Sequence, residues 1–320
     1  MIKLPFPPLA ITVQLATLVL NPIAAEEEET TSSQSLFDGK SLAGWHKQHE
    51  KGQHGTGGNW GVTEDGLLFG EQDPPGSGNG GLLLSDEKFS EFELELSLRP
   101  DWGPDSGVFV RTDERGQGWQ IYVDHHDNGN IAHLRLETKP YSVAFRPFMF
   151  SRIDPDKPAL SMVPDSRPEN LEEGVYEESC TPEEFLKVWI ADGWNRLKIR
   201  VTGGHLPIIE TWVNDFKVCR FDASKTKHAK FDPEKAKEVV GLTGSIGLQV
   251  HGGKGWQSGE RVYWKDIRVR RLRGAKLLNL NLAPNLDLAP NLDLAPNLDL
   301  DLTSCVNGPS KGIRRKEDQE

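Results

Sequence analysis

In the stretch FELELSLRP, Phe92 to Pro100, apolar and polar residues alternate without a break. Successive side chains of a β-strand point to opposite faces, so the phenylalanine and the three leucines share one face of a predicted strand. The two glutamates and the serine share the other face. An apolar face backed by a charged one is typical of an antiparallel sheet with one side buried.

The same alternation recurs along most of the chain, whereas helical periodicity is scarce. It is clear in NRLKIRVTG, Asn195 to Gly203. It predicts further strands at Gly66–Phe69, Gly107–Arg111, Trp119–Asp124, Ile208–Asn214, Ser245–His251 and Arg261–Arg270. Turn-forming residues separate these strands, which favours an all-β jelly-roll sandwich of two antiparallel sheets. No glycine-rich phosphate loop follows a strand, so nothing supports a nucleotide-binding fold.

One face of each predicted strand must be buried for this interpretation to hold. The residues expected between the two sheets are Leu94, Leu96, Ile121, Val123, Leu197, Ile199, Ile246, Leu248 and Val250. A slip of one residue would put every side chain of a strand on the opposite face, so the burial of this set tests the predicted register.

Composition divides the 320 residues into four segments. Residues 1–25 resemble a secretory signal peptide, with Lys3 before an apolar stretch and a small-residue cleavage site at Ile23–Ala25. We therefore expect export to the periplasm or beyond, and no integral membrane span once the signal is removed; an uncleaved anchor is the alternative. The remaining segments are an acidic and polar linker at 26–34, the folded domain at 35–273 and a low-complexity tail at 274–320.

Two segments interrupt the strand pattern. Residues Glu137–Leu186 are rich in proline and have little periodicity, so we expect a long loop that ends in a short helix. Thr181 would cap that helix, with Glu184 completing a capping box. The second segment is a six-residue repeat from Asn279 to Leu302, with proline in the repeat and no aromatic residue. It is typical of an extended spacer rather than a folded module.

Charge and composition limit the function classes. The formal net charge of −11 disfavours nonspecific binding to nucleic acid or to anionic lipid. The nine tryptophans suit sugar stacking and core packing alike. Three cysteines are too few for a disulfide scaffold, and a single bridge between Cys180 and Cys219 and no bridge at all both remain open.

Three predicted strands carry polar residues that an ordinary solvated sheet would not need. They lie in GWQIYVDHHDNGN, in PDSGVFVR and in LQVHGG. Their polar positions include Arg111, Gln120, Tyr122, Asp124, Gln249 and His251. If the strands share one sheet, these side chains meet on one concave surface, with Trp119, Trp194 or Trp256 near its edge. This mixture predicts a site for a neutral polar ligand such as a carbohydrate.

Several of these residues also have a structural interpretation. A lone histidine such as His251 is more often a satisfied structural residue than a catalyst, although it is the side chain that titrates near neutral pH. Asp124 could cap the turn that follows it. His125, His126 and Asp127 could bind a metal ion, but adjacent residues of a strand point to opposite faces, so this cluster is a weak metal signal.

The order of these motifs resembles that of the 3-keto-disaccharide hydrolase domain family. The matching motifs are SLFDGKSLAGW, FELELSLRP, DSGVFVR, GWQIYVDHHDNGNI, GWNRLKIRVTG, TWVNDFKV, GSIGLQVHGG and YWKDIRVRRL. The resemblance implies a concanavalin A-like jelly roll with a ligand groove on its concave side. This chain departs from the family pattern at Asp105–Gly107, where many members have Asn-Ser-Gly, and at Gln120 and Tyr122, where many have Glu and Gln.

The resemblance also implies cleavage of 3-keto-glycosides or 3-keto-disaccharides. A ketone at C3 acidifies the C2 hydrogen, a base removes it, and the enolate expels the C1 substituent before water adds. For this chemistry His251 is the expected base, Asp124 the acid or orienting partner, and Arg111 the group that stabilises the oxyanion. A divalent metal is an alternative to Arg111 as the electrophile.

The other candidate residues would contact substrate. Gln120 and Gln249 would hold hydroxyl groups, and Glu71 would be an acid or a metal ligand at the groove rim. The remaining substrate-binding candidates are Tyr122, Trp119, Trp194 and Trp256. A noncatalytic carbohydrate-binding module on the same fold is the alternative to an enzyme, because one fold hosts many functions. A structural or adhesive envelope protein is a third interpretation.

Overall fold

The computed structural model describes residues 32–52, 54–154, 156–164, 167–254, 256 and 258–272. The predicted signal peptide, most of the linker and the repeat tail lie outside the described residues. No helix among the described residues is long and apolar enough to cross a membrane.

Strands dominate the described part of the chain. They are β1 (Gln34–Ser35), β2 (Trp45–Lys47), β3 (Asn59–Val62), β4 (Leu68–Glu71), β5 (Gly81–Phe89), β6 (Phe92–Pro100), β7 (Gly107–Thr112), β8 (Gly118–Val123), β9 (Ile131–Glu137), β10 (Val143–Phe145), β11 (Phe148–Arg152), β12 (Leu160–Pro164), β13 (Glu178–Ser179), β14 (Asn195–Thr202), β15 (Ile208–Val213), β16 (Phe216–Asp222), β17 (Gly244–Val250) and β18 (Val262–Arg271). The helices are a 3-10 turn (Pro168–Asn170), α1 (Pro182–Val188) and α2 (Pro233–Val239).

Two antiparallel sheets face each other across one core, so the predicted jelly-roll sandwich is confirmed. The larger sheet has the order β13-β16-β15-β14-β6-β18-β4-β3, with β1 paired to β18. The smaller sheet has the order β10-β9-β8-β7-β17-β5-β2, and β11 pairs with β12 in a separate hairpin. Because β7, β8, β9 and β17 are neighbours in the smaller sheet, residues of one parity on these four strands lie side by side.

The core contains all nine residues that were expected between the sheets. The strand quoted first, β6, lies between β14 and β18, with Leu96 opposite Leu197 and Leu94 opposite Ile199. Each fully buried leucine or isoleucine contributes about 1.5–3 kcal/mol relative to an exposed one. The predicted register of these strands is therefore correct.

The smaller sheet differs from the expected pattern because its second face is also covered. Every residue of β7 and of β8 is buried. Leu82, Leu84 and Phe109 form a small apolar cluster on that second face, and the ring of His54 packs against Phe109 with centroids 5.5 Å apart. The polar residues of this face therefore line a pocket that is partly open to solvent.

The segment Glu137–Leu186 contains more regular structure than its composition indicated. Besides loops it includes β10, β11, β12 and β13, and β10 extends the edge of the smaller sheet. The helix at its end is confirmed as α1, where Thr181 and Glu184 form the predicted capping box. Phe185 is buried and anchors the helix to the core.

Two of the three cysteines lie in the described part of the chain. Cys180 is half-buried and Cys219 is buried, and their thiols are not bridged. Burial raises the pKa of the Cys219 thiol to about 12, and its sulfur lies 3.1 Å from the Thr211 hydroxyl. In this structure Cys219 is a core residue, not half of a disulfide.

Candidate active site

A polar pocket of about 180 Å³ opens beside the smaller sheet. Its lining residues are Asp105, Gln120, Tyr122, Asp124, Arg135, Glu137, Arg146, Arg167 and His251. Gln120 and Tyr122 belong to β8, and two further lining residues belong to its neighbour β9. Asp105 precedes β7, and His251 follows β17. The pocket forms because each of these strands buries its apolar parity in the core and turns its polar parity to the same side.

Five of the residues singled out from the sequence meet here. Gln120, Tyr122, Asp124 and His251 line the pocket. Gln249 lies directly behind them, where its Oε1 accepts a hydrogen bond of 2.8 Å from the amide of Gln120. The parity of the strands therefore located four of the nine lining residues and the glutamine behind them.

A histidine that the sequence did not single out completes the amide pair. Gln249 Nε2 donates to Nδ1 of His54 at 2.9 Å, which leaves the ring proton of a neutral His54 on Nε2. Burial, with smaller effects from His251 and nearby cations, lowers the pKa of His54 to about 3. The rings of His54 and His251 meet edge to face with centroids 5.5 Å apart. A neutral, fixed His54 thus supports the position of His251.

Asp124 is the most deeply buried acid of the pocket, with 3% of its surface exposed. Burial raises its pKa well above the ordinary value, and the neighbouring Asp105 raises it further. Its Oδ1 has no hydrogen-bond partner among the described residues. Two adjacent carboxyl groups in such surroundings need a proton or a cation between them.

The side of the pocket formed by β9 carries an ion pair. Arg135 contacts the carboxylate of Glu137 and lies 3.5 Å from the hydroxyl of Tyr122. Burial raises the pKa of Tyr122 to about 12, so its hydroxyl keeps its proton and can donate a hydrogen bond to a ligand. The guanidinium of Arg146 lies 5.8 Å from the centre of the Tyr122 ring.

Arg111 does not reach this pocket, which overturns its predicted role at the oxyanion. Its guanidinium donates to three backbone carbonyls, at 2.7 Å to Ser90, 2.6 Å to Gly204 and 2.8 Å to Gly203. Arg111 has a φ of 51°, and the pairing of β7 with β17 shifts its register at this point. This β-bulge breaks the alternation from which the side-chain direction was inferred.

The three tryptophans expected at the groove edge also lie elsewhere. Trp119 is fully buried between the sheets, because it has the parity of Ile121 rather than that of Gln120. Trp256 is a core residue whose ring N–H donates to the Glu260 carbonyl. Trp194 lines a different depression, beside the larger sheet, and is flanked by Arg99 and Lys265. None of these three rings lines the pocket.

Glu71 is a structural acid and not a pocket residue. It lies at the end of β4 in the larger sheet and is almost fully buried. Its Oε1 accepts hydrogen bonds of 2.8 Å from Asn59 and from Arg261. Its predicted position at the rim is therefore wrong.

Several lining residues were missed. Arg135 and Glu137 alternate with leucines in HLRLE, so the same pattern that identified the other strands could have found them. Asp105 stood in a quoted motif but was noted only as part of a departure from the family pattern. Arg146 and Arg167 lie in the segment without periodicity, where the sequence carries no signal for their position.

The two histidines of the possible metal cluster His125, His126 and Asp127 lie in different environments. His125 points into the core, where its ring packs on Trp102 and Trp189. His126 points the other way, and its ligand atom lies with one oxygen each of Asp105 and Asp124 in a group no more than 4.8 Å across. The sequence predicted that these adjacent histidines point in opposite directions. It did not predict that Asp105 and Asp124 lie beside His126.

No curated protein matches this chain. Among solved structures it is similar to a provisionally named glycosyl hydrolase from Parabacteroides distasonis ATCC 8503, with 16% identity, a TM-score of 0.42 and coverage of 75% of this chain and 94% of that one. It is also similar to the carbohydrate-binding module CBM66 from Bacillus subtilis, with 15% identity, a TM-score of 0.39 and coverage of 70% of this chain and 93% of that one. A beta-glucanase from Bacillus licheniformis is similar with 10% identity, a TM-score of 0.41 and coverage of 76% of this chain and 98% of that one.

The sequence profile of one family covers the whole sandwich. It is that of the 3-keto-alpha-glucoside-1,2-lyase-like domain, and it matches residues 32–270. The match runs from just before β1 to the penultimate residue of β18 and includes every pocket residue. The chain therefore belongs to the family of 3-keto-alpha-glucoside-1,2-lyase-like domains.

Proposed function

We propose that this protein cleaves the glycosidic bond of 3-keto-glycosides or 3-keto-disaccharides after export from the cytoplasm. Family membership supports the substrate class, and the signal-like residues 1–25 support export. The observation that carries the proposal is the convergence of His251 with the buried acid Asp124 in one small polar pocket. A pocket of about 180 Å³ suits one sugar ring rather than a long glycan.

The reaction begins at the hydrogen on C2 of the sugar. The ketone at C3 makes this hydrogen acidic, and a base removes it to leave an enolate. The electron pair of the enolate then forms a C1–C2 double bond while the C1–O bond breaks, and the leaving oxygen takes up a proton. Water adds across the new double bond in a later step. The sum is hydrolysis, without the two carboxylates at fixed separation that an ordinary glycosidase needs.

His251 is the proposed base. Its side chain is half-buried at the pocket wall, and its ring makes no hydrogen bond to another described residue, so a nitrogen remains available to the substrate. The edge-to-face contact with His54 holds the ring in place. The same imidazole, once protonated, can return the proton to the leaving oxygen, as general acid-base catalysis requires.

The enolate needs a positive or proton-donating partner, and Arg111 cannot supply it from its position. The Asp105–Asp124 end of the pocket is the proposed replacement. A proton kept on Asp124, or a divalent cation held there, would polarise the C3 carbonyl and stabilise the enolate oxygen. Gln120 and the protonated hydroxyl of Tyr122 are the proposed contacts for the sugar hydroxyls.

A direct assay separates this enzyme from a carbohydrate-binding module. Purified protein is incubated with a 3-keto-glycoside that carries a chromogenic aglycone, and separately with its unoxidised parent. We expect release of aglycone from the keto-sugar alone, and incorporation of deuterium at C2 when the reaction runs in heavy water. Binding of both sugars without release would favour the module instead.

The role of His251 is tested by His251→Gln. Loss of a general base commonly lowers the rate by about 10²–10⁴, so we expect a decrease in kcat within this range and an unchanged melting temperature. The matched control is His49→Gln, at an exposed histidine away from the pocket. A rate within a few-fold of the unmodified protein would remove His251 from the mechanism.

A further inference from the structure

Three hydrogen-bond acceptors converge at one end of the pocket. They are one oxygen each of Asp105 and Asp124 and a ring nitrogen of His126, all within 4.8 Å of one another. The Nε2 atom of His126 lies 4.0 Å from Oδ2 of Asp105. No hydrogen bond from another described side chain enters this group, so a proton or a cation must relieve the repulsion between its lone pairs.

The tautomer of a neutral His126 follows from its other nitrogen. Nδ1 lies 2.8 Å from the backbone carbonyl of Asp127, and a carbonyl only accepts, so Nδ1 carries the hydrogen. The lone pair is then on Nε2, which faces Asp105. This atom is buried and has no hydrogen-bond partner among the described residues. A backbone carbonyl that orients the ring in this way is the usual support of a histidine metal ligand.

Asp124 gives an independent indication that something is bound. The residue is 97% buried, since only 3% of its surface is exposed, and its Oδ1 lacks a partner. A buried charge is costly unless it is paired or coordinates a metal ion. The backbone holds it rigidly, because its N–H donates to the Asn130 carbonyl at 2.9 Å and the N–H of Val123 donates to Ser106 at 3.0 Å.

We propose that Asp105, Asp124 and His126 form a binding site for one divalent transition-metal cation, with Mn²⁺ or Zn²⁺ as the best fit. Two carboxylate oxygens and one imidazole nitrogen are donors that suit these ions. Ligand atoms at about 2.0–2.2 Å from a cation are at most about 4.4 Å apart, so small side-chain rotations would close the group.

The site has an open side. Asp105 and Asp124 both line the pocket, and three protein ligands leave coordination positions for water or for a substrate oxygen. The proposal that a cation binds here depends on the geometry of the cluster and not on the proposed function. The use of the cation as the electrophile for the C3 carbonyl rests on the proposed function.

Calorimetry on the full chain tests the site without any substrate. The protein is treated with a chelator, dialysed, and titrated with Mn²⁺ and separately with Zn²⁺. We expect one ion per chain, and a rise in melting temperature as the free ion increases, because a ligand that binds only the native state stabilises it. The bound Mn²⁺ should also give an altered electron paramagnetic resonance spectrum.

Variants decide whether these residues are the ligands. Asp124→Asn and His126→Gln should each weaken binding at least 10-fold. The matched control is Asp127→Asn, because Asp127 is the adjacent acid but its Oδ1 accepts from the backbone of Arg152. The chelated variants are melted first, to show that they are folded. Folded protein that binds no ion, or binding that both ligand variants retain, would overturn the site whether or not keto-sugars are cleaved.

Discussion

Arg111 is a residue whose charge and strand position suggested catalysis but whose contacts are structural. Its guanidinium satisfies three backbone carbonyls, one in the turn between β5 and β6 and two in the turn between β14 and β15. Burial lowers its pKa to about 10, which still leaves it charged at neutral pH. Without it, the carbonyls of Ser90, Gly203 and Gly204 would lose their donor.

Arg111→Ala should therefore destabilise the fold and leave the chemistry intact. Hydrogen bonds to a charged group contribute about 1.5–3 kcal/mol each, with incomplete additivity, so we expect a loss of about 3 kcal/mol or more in the free energy of unfolding. Denaturant titration measures it. Arg115→Ala, which removes an exposed ion pair with Glu50, is the control and should cost less than about 1 kcal/mol. A stable Arg111→Ala protein without activity would return Arg111 to the site.

His133 makes the stability depend on pH. It is fully buried, its Nδ1 accepts from Asn130 and its Nε2 donates to the hydroxyl of Ser179. Burial lowers its pKa to about 3. The native ring thus stays neutral below pH 6.5, while the unfolded chain takes up a proton. The unfolded state binds more protons, so stability decreases as the pH falls from about 6.5 towards about 3.

His133→Gln should remove part of this acid sensitivity. One such histidine contributes a slope of up to about 1.4 kcal/mol per pH unit between its two pKa values. We expect the variant to lose less stability than the unmodified protein between pH 6.5 and pH 4.5, as measured by urea unfolding. His49→Gln, at an exposed ring, is the control. Parallel pH profiles for His133→Gln and the unmodified protein would show that His133 is not the cause.

At the scale of elements, the site depends on how closely β7 approaches its neighbours. A Cβ atom at Gly107 would lie 2.6 Å from Nε2 of Gln120 and 3.0 Å from Oε1 of Gln249. Glycine is therefore required at this point of β7 for the amide pair to form. The same Cβ would lie 2.8 Å from Cγ of Gln120, so the whole Gln120 side chain must move and the buried hydrogen bond to Gln249 must open.

Gly107→Ala should reduce both activity and stability. We expect a loss of about 1–3 kcal/mol in unfolding free energy, because the buried amide pair opens, and about a tenfold increase in KM for the keto-sugar, because Gln120 is displaced. Gly204→Ala, where an added Cβ meets no atom within 4 Å, is the control. An unchanged KM in Gly107→Ala would show that the amide pair does not position the substrate.

At the scale of the whole molecule, the described fold closes with β18, which ends at Arg271. The repeat that follows in the sequence lacks aromatic anchors. We therefore expect deletion of residues 275–320 to leave the melting temperature and keto-sugar cleavage unchanged within error, as measured by calorimetry and by aglycone release. A clear decrease in melting temperature would mean that the tail packs on the sandwich.

The sequence by itself determined the sandwich and the side of each strand that is buried. The reason is local: the period of two in a strand is a property of the backbone, so Leu94, Ile121 and Leu248 are assigned to the core wherever the strands pair. The same parity put Gln120 and His251 on one surface. Helix α1 was predictable too, because a capping box acts over three residues.

Only the tertiary structure decided what covers that surface and which charges reach it. A bulge in β7 redirects Arg111, and a bulge cannot be read from alternation. Arg146 and Arg167 come from a segment without periodicity, and Asp105 joins Asp124 and His126 only because β7 and β8 are paired. The parity of a strand states which way a side chain points, whereas the chemistry of a site depends on what other strands and loops bring to meet it.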